Sequence, residues 1–172
     1  MAQTSPMVVV SSVIRRQGKI LVIKRAKPPY AGLLSLPGGK LEFCEHPAAA
    51  ALREAKEETG LDCRFEKMLG AFSEVLEQPN DAKRHFVMFV AELTAPSFDF
   101  TESSEGTLAW INEAEWQSQR VKDEFIASDW RVVDEFLFNA KPNSHMQMRE
   151  IKISEKHEDD KTTYELVEFK TL

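Results

Sequence analysis

Two cysteines in 172 residues are too few for a disulfide framework, and Cys44 and Cys63 match no zinc-ligand spacing. Both are expected to be reduced thiols. No apolar run approaches the roughly 20 residues that a membrane-spanning helix needs. The N-terminal MAQTSPMVVV lacks the charged start and unbroken apolar stretch of a secretory signal. A cytoplasmic location with no membrane partner is therefore expected. Basic charge is in deficit: 22 Lys and Arg against 28 Asp and Glu leave a net charge of −6. That excludes a surface that holds extended nucleic acid by charge alone. A small phosphorylated ligand delivered with metal ions is still allowed. Internal repeats are absent.

What remains is ordinary globular material, 42% hydrophobic and 29% charged, in a length that suits one domain with a core stable without staples. MVVVSSVIRR and KILVIKRA, joined by Gln17 and Gly18, read as a β-hairpin. KPPYAGLLSLPGGKLE has the prolines and glycines of a long loop with short extended pieces. Pro47 suits the first turn of a helix and Gly60 a C-terminal stop, so a helix is predicted over 47–59. CRFEKMLGAFSEVLE, RHFVMFVAELT and GTLAWI read as strands. Asn112 is placed to cap a brief turn in NEAEW. Trp130, Val133 and Leu137 recur at helical spacing, with Ser128 as the expected cap and Pro142 and Asn143 as the stop. Strands alternating with two helices indicate an α/β or α+β domain with a mixed sheet.

The predicted helix carries an unusual charge pattern. Glu54, Glu57 and Glu58 stand at i, i+3 and i+4, within an arc of roughly 100° that borders the apolar face of Ala51 and Ala55. Like charges at this spacing weaken an isolated helix by a few tenths of a kcal/mol per pair, roughly. A solvated acidic face neutralised by Arg53 and Lys56 would account for REAKEE alone. The preceding loop argues for more, because Gly38-Gly39 permits close approach of backbone to an ion and Glu45 returns another carboxylate. Oxygen donors without His or Cys suit Mg²⁺, or Mn²⁺, better than zinc.

Gly39, Glu45 and the run Arg53-Glu54-Ala55-Lys56-Glu57-Glu58-Thr59-Gly60-Leu61 resemble the Nudix box of the Nudix hydrolases at every charged and glycine position. The resemblance implies a Nudix-type α/β/α sandwich with a mixed sheet and metal-dependent attack of water on a diphosphate linked to a group X. It also implies Glu54, Glu57 and Glu58 as metal ligands with the Gly39 carbonyl, Arg53 as their orienting partner, and Glu45 in the outer shell. Arg25 resembles a family arginine that binds substrate phosphate. Glu102 and Glu105 lie in the loop from which family members draw a further base or ligand, and Glu105 is the better placed. The position before Glu45, commonly glycine in the family, is Cys44 here; if positive φ is needed, the loop bends differently or accepts a cost of about 1 kcal/mol.

The phrase KRAKPPYAGLLSLPGGKLEFCE is similar to a bacterial subgroup related to ADP-ribose pyrophosphatases, which makes ADP-ribose or a similar nucleoside diphosphate derivative the first expected substrate. The alternatives are a nucleoside triphosphate pyrophosphatase and a nucleotide-sensing module without turnover. Tyr30, Phe72 and Phe86 are candidates to stack on a base. His46, His85, His145 and His157 are scattered and expected outside any ligand set. The family-like domain is expected over 1–140. Residues 141–172 form an extension, with MQMREIKIS and TTYELVEFK as an appended C-terminal β-hairpin. The hairpin serves as an extra sheet edge or a tail covering exposed core, or else as a homodimer contact, and truncation after Ala140 is expected to leave hydrolysis in place with some loss of solubility.

Overall fold

The computed structural model of the chain describes residues 5–79, 82–140, 148–158 and 161–171. Strand β1 (Met7–Arg16) turns at Gln17-Gly18 into β2 (Lys19–Arg25). Two short strands, β3 (Leu34–Ser35) and β4 (Gly38–Lys40), break up the long loop. Helix α1 spans Pro47–Thr59, with Pro47 in the first turn and the His46 ring accepting from the Ala48 N–H. It stops where Gly60 takes a left-handed φ of 72° and returns its N–H to the Lys56 carbonyl, a conformation glycine enters without a Cβ penalty. Strands β5 (Arg64–Glu77), β6 (Lys83–Thr94) and β7 (Gly106–Asn112) follow.

The remaining helices depart in detail from the sequence reading. Asn112 precedes the single turn Glu113–Glu115 without a side-chain cap bond. Helix α2 (Gln119–Glu124), which the sequence reading does not predict, is capped by Ser118. Helix α3 (Ala127–Val133) continues as a wider turn over Asp134–Phe138. Ser128 lies inside α3 and not at its cap, because Ile126 takes the flanking position and the Ser128 side chain is fully buried. The expected stop at Pro142 and Asn143, and His145, lie outside the described residues. Strands β8 (Met148–Glu158) and β9 (Lys161–Thr171) close the fold as the expected hairpin.

Among the described residues, nine strands form one mixed sheet in the order β3-β2-β1-β6-β5-β8-β9, with β4 also on β1 and β7 also on β2. The pairs β1/β6 and β5/β8 are parallel, and the others are antiparallel. Alternation along β2 separates two cores. Leu21 and Ile23 face α1, whose Ala50, Ala51 and Ala55 let the helix lie close to the sheet. Ile20 and Val22 face the other layer, with Val121 of α2 and Trp130 and Val133 of α3. Strand β8 sends Ile151 and Ile153, both fully buried, into that second core beside Phe72 and Leu76. No helix among the described residues is long and apolar enough to cross a membrane.

Candidate active site

The acidic positions of α1 are brought to β4 by the pairing of β4 with β1 in the register Val10↔Gly39. A Cβ on Gly39 would stand 2.4 Å from the Glu54 carboxyl, so any other residue there would displace that carboxylate from its present position. Arg53 organises the group. Its Nε and Nη2 each donate to one oxygen of Glu45 at 2.9 Å, Nη1 donates to Glu54 at 2.8 Å and to Glu57 at 3.3 Å, and Nη2 also reaches the Lys40 carbonyl at 3.0 Å. The bidentate contact with Arg53 holds the Glu45 carboxyl down at about 2. Cys44, with φ 63°, adopts the left-handed conformation that the sequence raised as a possibility, and its side chain is exposed.

Glu58 behaves differently. It sits at the border of the α1 core, 9% exposed, and its Oε2 accepts from the Gly38 N–H at 2.9 Å. Burial pushes its carboxyl up to about 7, and the charges of Glu54 and Glu105 push the same way against the Gly38 hydrogen bond. Glu105 is thus within electrostatic reach of Glu58, while it pairs with Lys27 at 2.6 Å. Glu102 is turned back, accepting from the Leu108 N–H. Arg25 pairs across the sheet with Gly106, beside Glu105, and its positive charge acts on Glu58. The sequence-predicted residues Arg25, Gly39, Arg53, Glu54, Glu57, Glu58 and Glu105 therefore occupy one neighbourhood.

Among the described residues, no three acidic, His or Cys side chains already converge as a ligand set, because the Arg53 guanidinium draws Glu45, Glu54 and Glu57 to itself. The residues nevertheless fit a hard divalent cation. The donors are all oxygen, Gly39 keeps the space before Glu54 clear, and mutual repulsion already burdens Glu58. His46 caps α1, His85 bonds Ser73 and His157 lies with Glu155 and Thr162 on the hairpin.

Beside the acidic group, a cavity of about 350 Å³ opens past Gly38, Gly39 and Arg25. Of the three stacking candidates, Tyr30 and Phe86 line it, whereas Phe72 is fully buried in the core. Its polar lining includes Glu74 and Asp129, two buried acids not singled out from the sequence. Glu74 breaks the inward alternation Phe72, Glu74, Leu76 of β5, all three buried, and that misplaced charge is the signal by which it could have been found. Burial pushes Glu74 up to about 7 and Asp129 to about 6.

Known proteins match this chain along most of its length. The NUDIX domain family model matches residues 5–145. The chain is 39% identical over 85 residues to an ADP-ribose pyrophosphatase of Methanocaldococcus jannaschii, covering 49% of this chain and 48% of that protein. It spans 48% to 63% of the length of the first curated relatives it matches. The fold is similar to the crystal structure of a MutT protein from Bacillus halodurans, with a TM-score of 0.66 at 21% identity over 96% of this chain and 97% of the other, a likeness that extends into the C-terminal hairpin. It is also similar to a bifunctional NMN adenylyltransferase/ADP ribose pyrophosphatase of Francisella tularensis complexed with AMP and a Mn ion, with a TM-score of 0.60 at 20% identity over 78% of this chain and 42% of the other.

Proposed function

The chain belongs to the Nudix hydrolase family, and from that premise we propose that it hydrolyses the diphosphate linkage of a nucleoside diphosphate derivative, ADP-ribose or a close analogue, with Mg²⁺ or Mn²⁺. The observation that carries this reading is the adjacency of the Arg53-organised carboxylates to a cavity large enough for a group X. The relative named for ADP-ribose cleavage and the neighbour holding AMP and Mn support the same choice.

In this reading, Glu54, Glu57, Glu58 and the Gly39 carbonyl hold the divalent ions. When bound, such ions cancel phosphate charge and acidify water. Arg53 keeps Glu54 and Glu45 oriented through charge-assisted bonds. Arg25, which lines the cavity and is steadied by its Nε donating to the Pro29 carbonyl, takes a phosphate oxygen as a fixed positive charge. Glu105 accepts the proton of the attacking water once Lys27 releases it.

A nucleoside triphosphate pyrophosphatase is the second reading, favoured by the fold likeness to a MutT protein. The products separate the two. The full chain is incubated with ADP-ribose, NADH, nucleotide sugars, dinucleoside polyphosphates and triphosphates, with Mg²⁺ and with Mn²⁺. AMP with ribose 5-phosphate from ADP-ribose supports the first reading, and inorganic pyrophosphate from a triphosphate supports the second. Nucleotide binding without turnover of any of these would leave only a sensing module.

A further inference from the structure

The cavity contains polar atoms that the fold leaves unsatisfied. Glu74 is 1% exposed, and its Oε1 accepts from the Tyr30 hydroxyl at 3.0 Å, but its Oε2 has no partner. The Ser35 and Ser128 hydroxyls line the same cavity, 2% and 0% exposed, and are unpartnered too. Ser128 stands near Glu74 without completing a hydrogen bond to it. Buried polar groups are ordinarily paired. Three atoms without partners in one cavity, a carboxyl oxygen and two hydroxyls that can accept or donate, suit a polar ligand beside the carboxylates of α1.

The chemistry of that ligand follows from the atoms that await it. Glu74 accepts when ionised and both donates and accepts when protonated, so the matching group is a flat edge that carries an N–H donor and fits beside Tyr30. Arg25, Lys40 and Arg84 also line the cavity, and the Arg25 charge acts on Glu58, Glu74 and Asp129 alike, so the phosphate of a nucleotide has cationic partners within reach while its base meets the buried acids.

The hairpin reaches this cavity through one residue. Tyr164, on β9, accepts from the Tyr30 backbone N–H at 2.9 Å, and the two rings lie 4.3 Å apart at 54°. Tyr30 in turn holds Glu74. Tyr30 has φ 67°, a conformation a tyrosine seldom takes unless its surroundings impose it. Tyr164 lies beyond residue 145, where the family model ends.

Resting on the diphosphate-hydrolase reading, we propose that Glu74 reads the amino-bearing edge of a nucleobase in this cavity, and that Tyr164 is the positioning residue that holds Tyr30, and through it Glu74, in place to do so. The hairpin is then a working part of substrate selection and not only a sheet edge.

The test measures binding of AMP, purine riboside 5-monophosphate, which lacks both the amino group and an N1–H, and ribose 5-phosphate to the full chain by calorimetry in Mg²⁺, beside the melting temperature of each variant. Wild type is expected to bind AMP at least tenfold more tightly than either of the others. Glu74→Gln keeps an acceptor for the Tyr30 hydroxyl but turns the free carboxyl oxygen into an N–H donor, so it should abolish that preference while the melting temperature holds; a merely structural Glu74 would leave the preference unchanged. Tyr164→Phe keeps the ring, loses the hydroxyl that holds Tyr30, and should cut the AMP preference several-fold and raise KM for nucleotide substrates more than it lowers kcat. Equal binding of the three probes by wild type overturns the proposal, as does an unchanged AMP preference in both variants, even where diphosphate hydrolysis is intact. Absence of any diphosphate hydrolysis overturns the reading beneath it and with it the assignment of substrate selection to Tyr164.

Discussion

Arg53 grips Glu45 with both prongs of its guanidinium, Nε and Nη2 each 2.9 Å from a separate carboxylate oxygen. The fork is thereby fixed in plane, and its third nitrogen, Nη1, is delivered to Glu54 at 2.8 Å. A lysine has a charge but no fork, so it can satisfy one of these partners and not the geometry of both.

Arg53→Lys should therefore lower kcat/KM by roughly 10- to 100-fold, the scale of misplacing a reacting group by about 1 Å. Circular dichroism should be unchanged, because Arg53 holds the acidic face and not the alanine face that packs α1 on the sheet. Wild-type kinetics in this variant would remove Arg53 from the organisation of the site.

Divalent metal should stabilise the native chain by mass action. At a concentration 100-fold above Kd the gain is about 2.7 kcal/mol, readable as a rise in melting temperature with millimolar Mg²⁺. Glu58→Gln keeps the size of the side chain and removes a charge from the proposed ligand set. It should abolish most of that rise and lower turnover by roughly tens-fold or more. A melting temperature indifferent to Mg²⁺ in wild type would count against a cation site on α1.

Stability should fall as pH rises through the range in which Glu74 and Asp129 ionise. Burial raises both above their ordinary values, to about 7 and about 6. The native chain thus holds protons that the unfolded chain has already released. This contribution is complete below about pH 4 and is lost as pH climbs toward 7, a loss on the order of 1 to 3 kcal/mol for such a buried acid. Denaturant melts between pH 4.5 and 8 should show the decline in wild type and a flatter profile in Glu74→Leu. Parallel profiles would mean that Glu74 is not held protonated by the fold.

Removing the hairpin should cost stability as well as solubility. Ile151 and Ile153 are fully buried in one core with Phe72, Leu76 and Trp130. Truncating either isoleucine to alanine should destabilise the chain by about 2–5 kcal/mol. A stop after Ala140 uncovers that core and removes Tyr164 from Tyr30, so loss of cooperative melting is expected beside the loss of solubility that the sequence already suggests, in place of the intact hydrolysis expected from it. A soluble, cooperatively melting truncation with wild-type turnover would restore the simpler division of the chain at residue 140.

The helix from Pro47 to Thr59 was legible in advance because every signal for it is local. Proline suits the first turn, glycine supplies the left-handed stop, and the spacing of Glu54, Glu57 and Glu58 settles which face they share. The hairpin of β1 and β2, and the strand character of β5 to β9, were legible for the same reason, since period-2 alternation and a turn residue are properties of neighbours in sequence. Ser128 misled because serine before an apolar run is the usual sign of a helix cap, and only packing puts this one inside α3 at zero exposure.

The cavity beside the acidic helix was not legible, and the reason is distance along the chain. Tyr30, Glu74 and Tyr164 are 44 and 90 residues apart in succession, with no shared motif, and they meet because β5 pairs with β8, β8 with β9, and the Tyr30 loop folds over the resulting edge. Local sequence determined the identity and spacing of the acidic side chains proposed to hold the metal, because one helix turn is enough to group them. Tertiary structure decided which acids are buried, what they are left facing and where the hairpin docks, because burial and long-range register depend on segments that no local pattern relates.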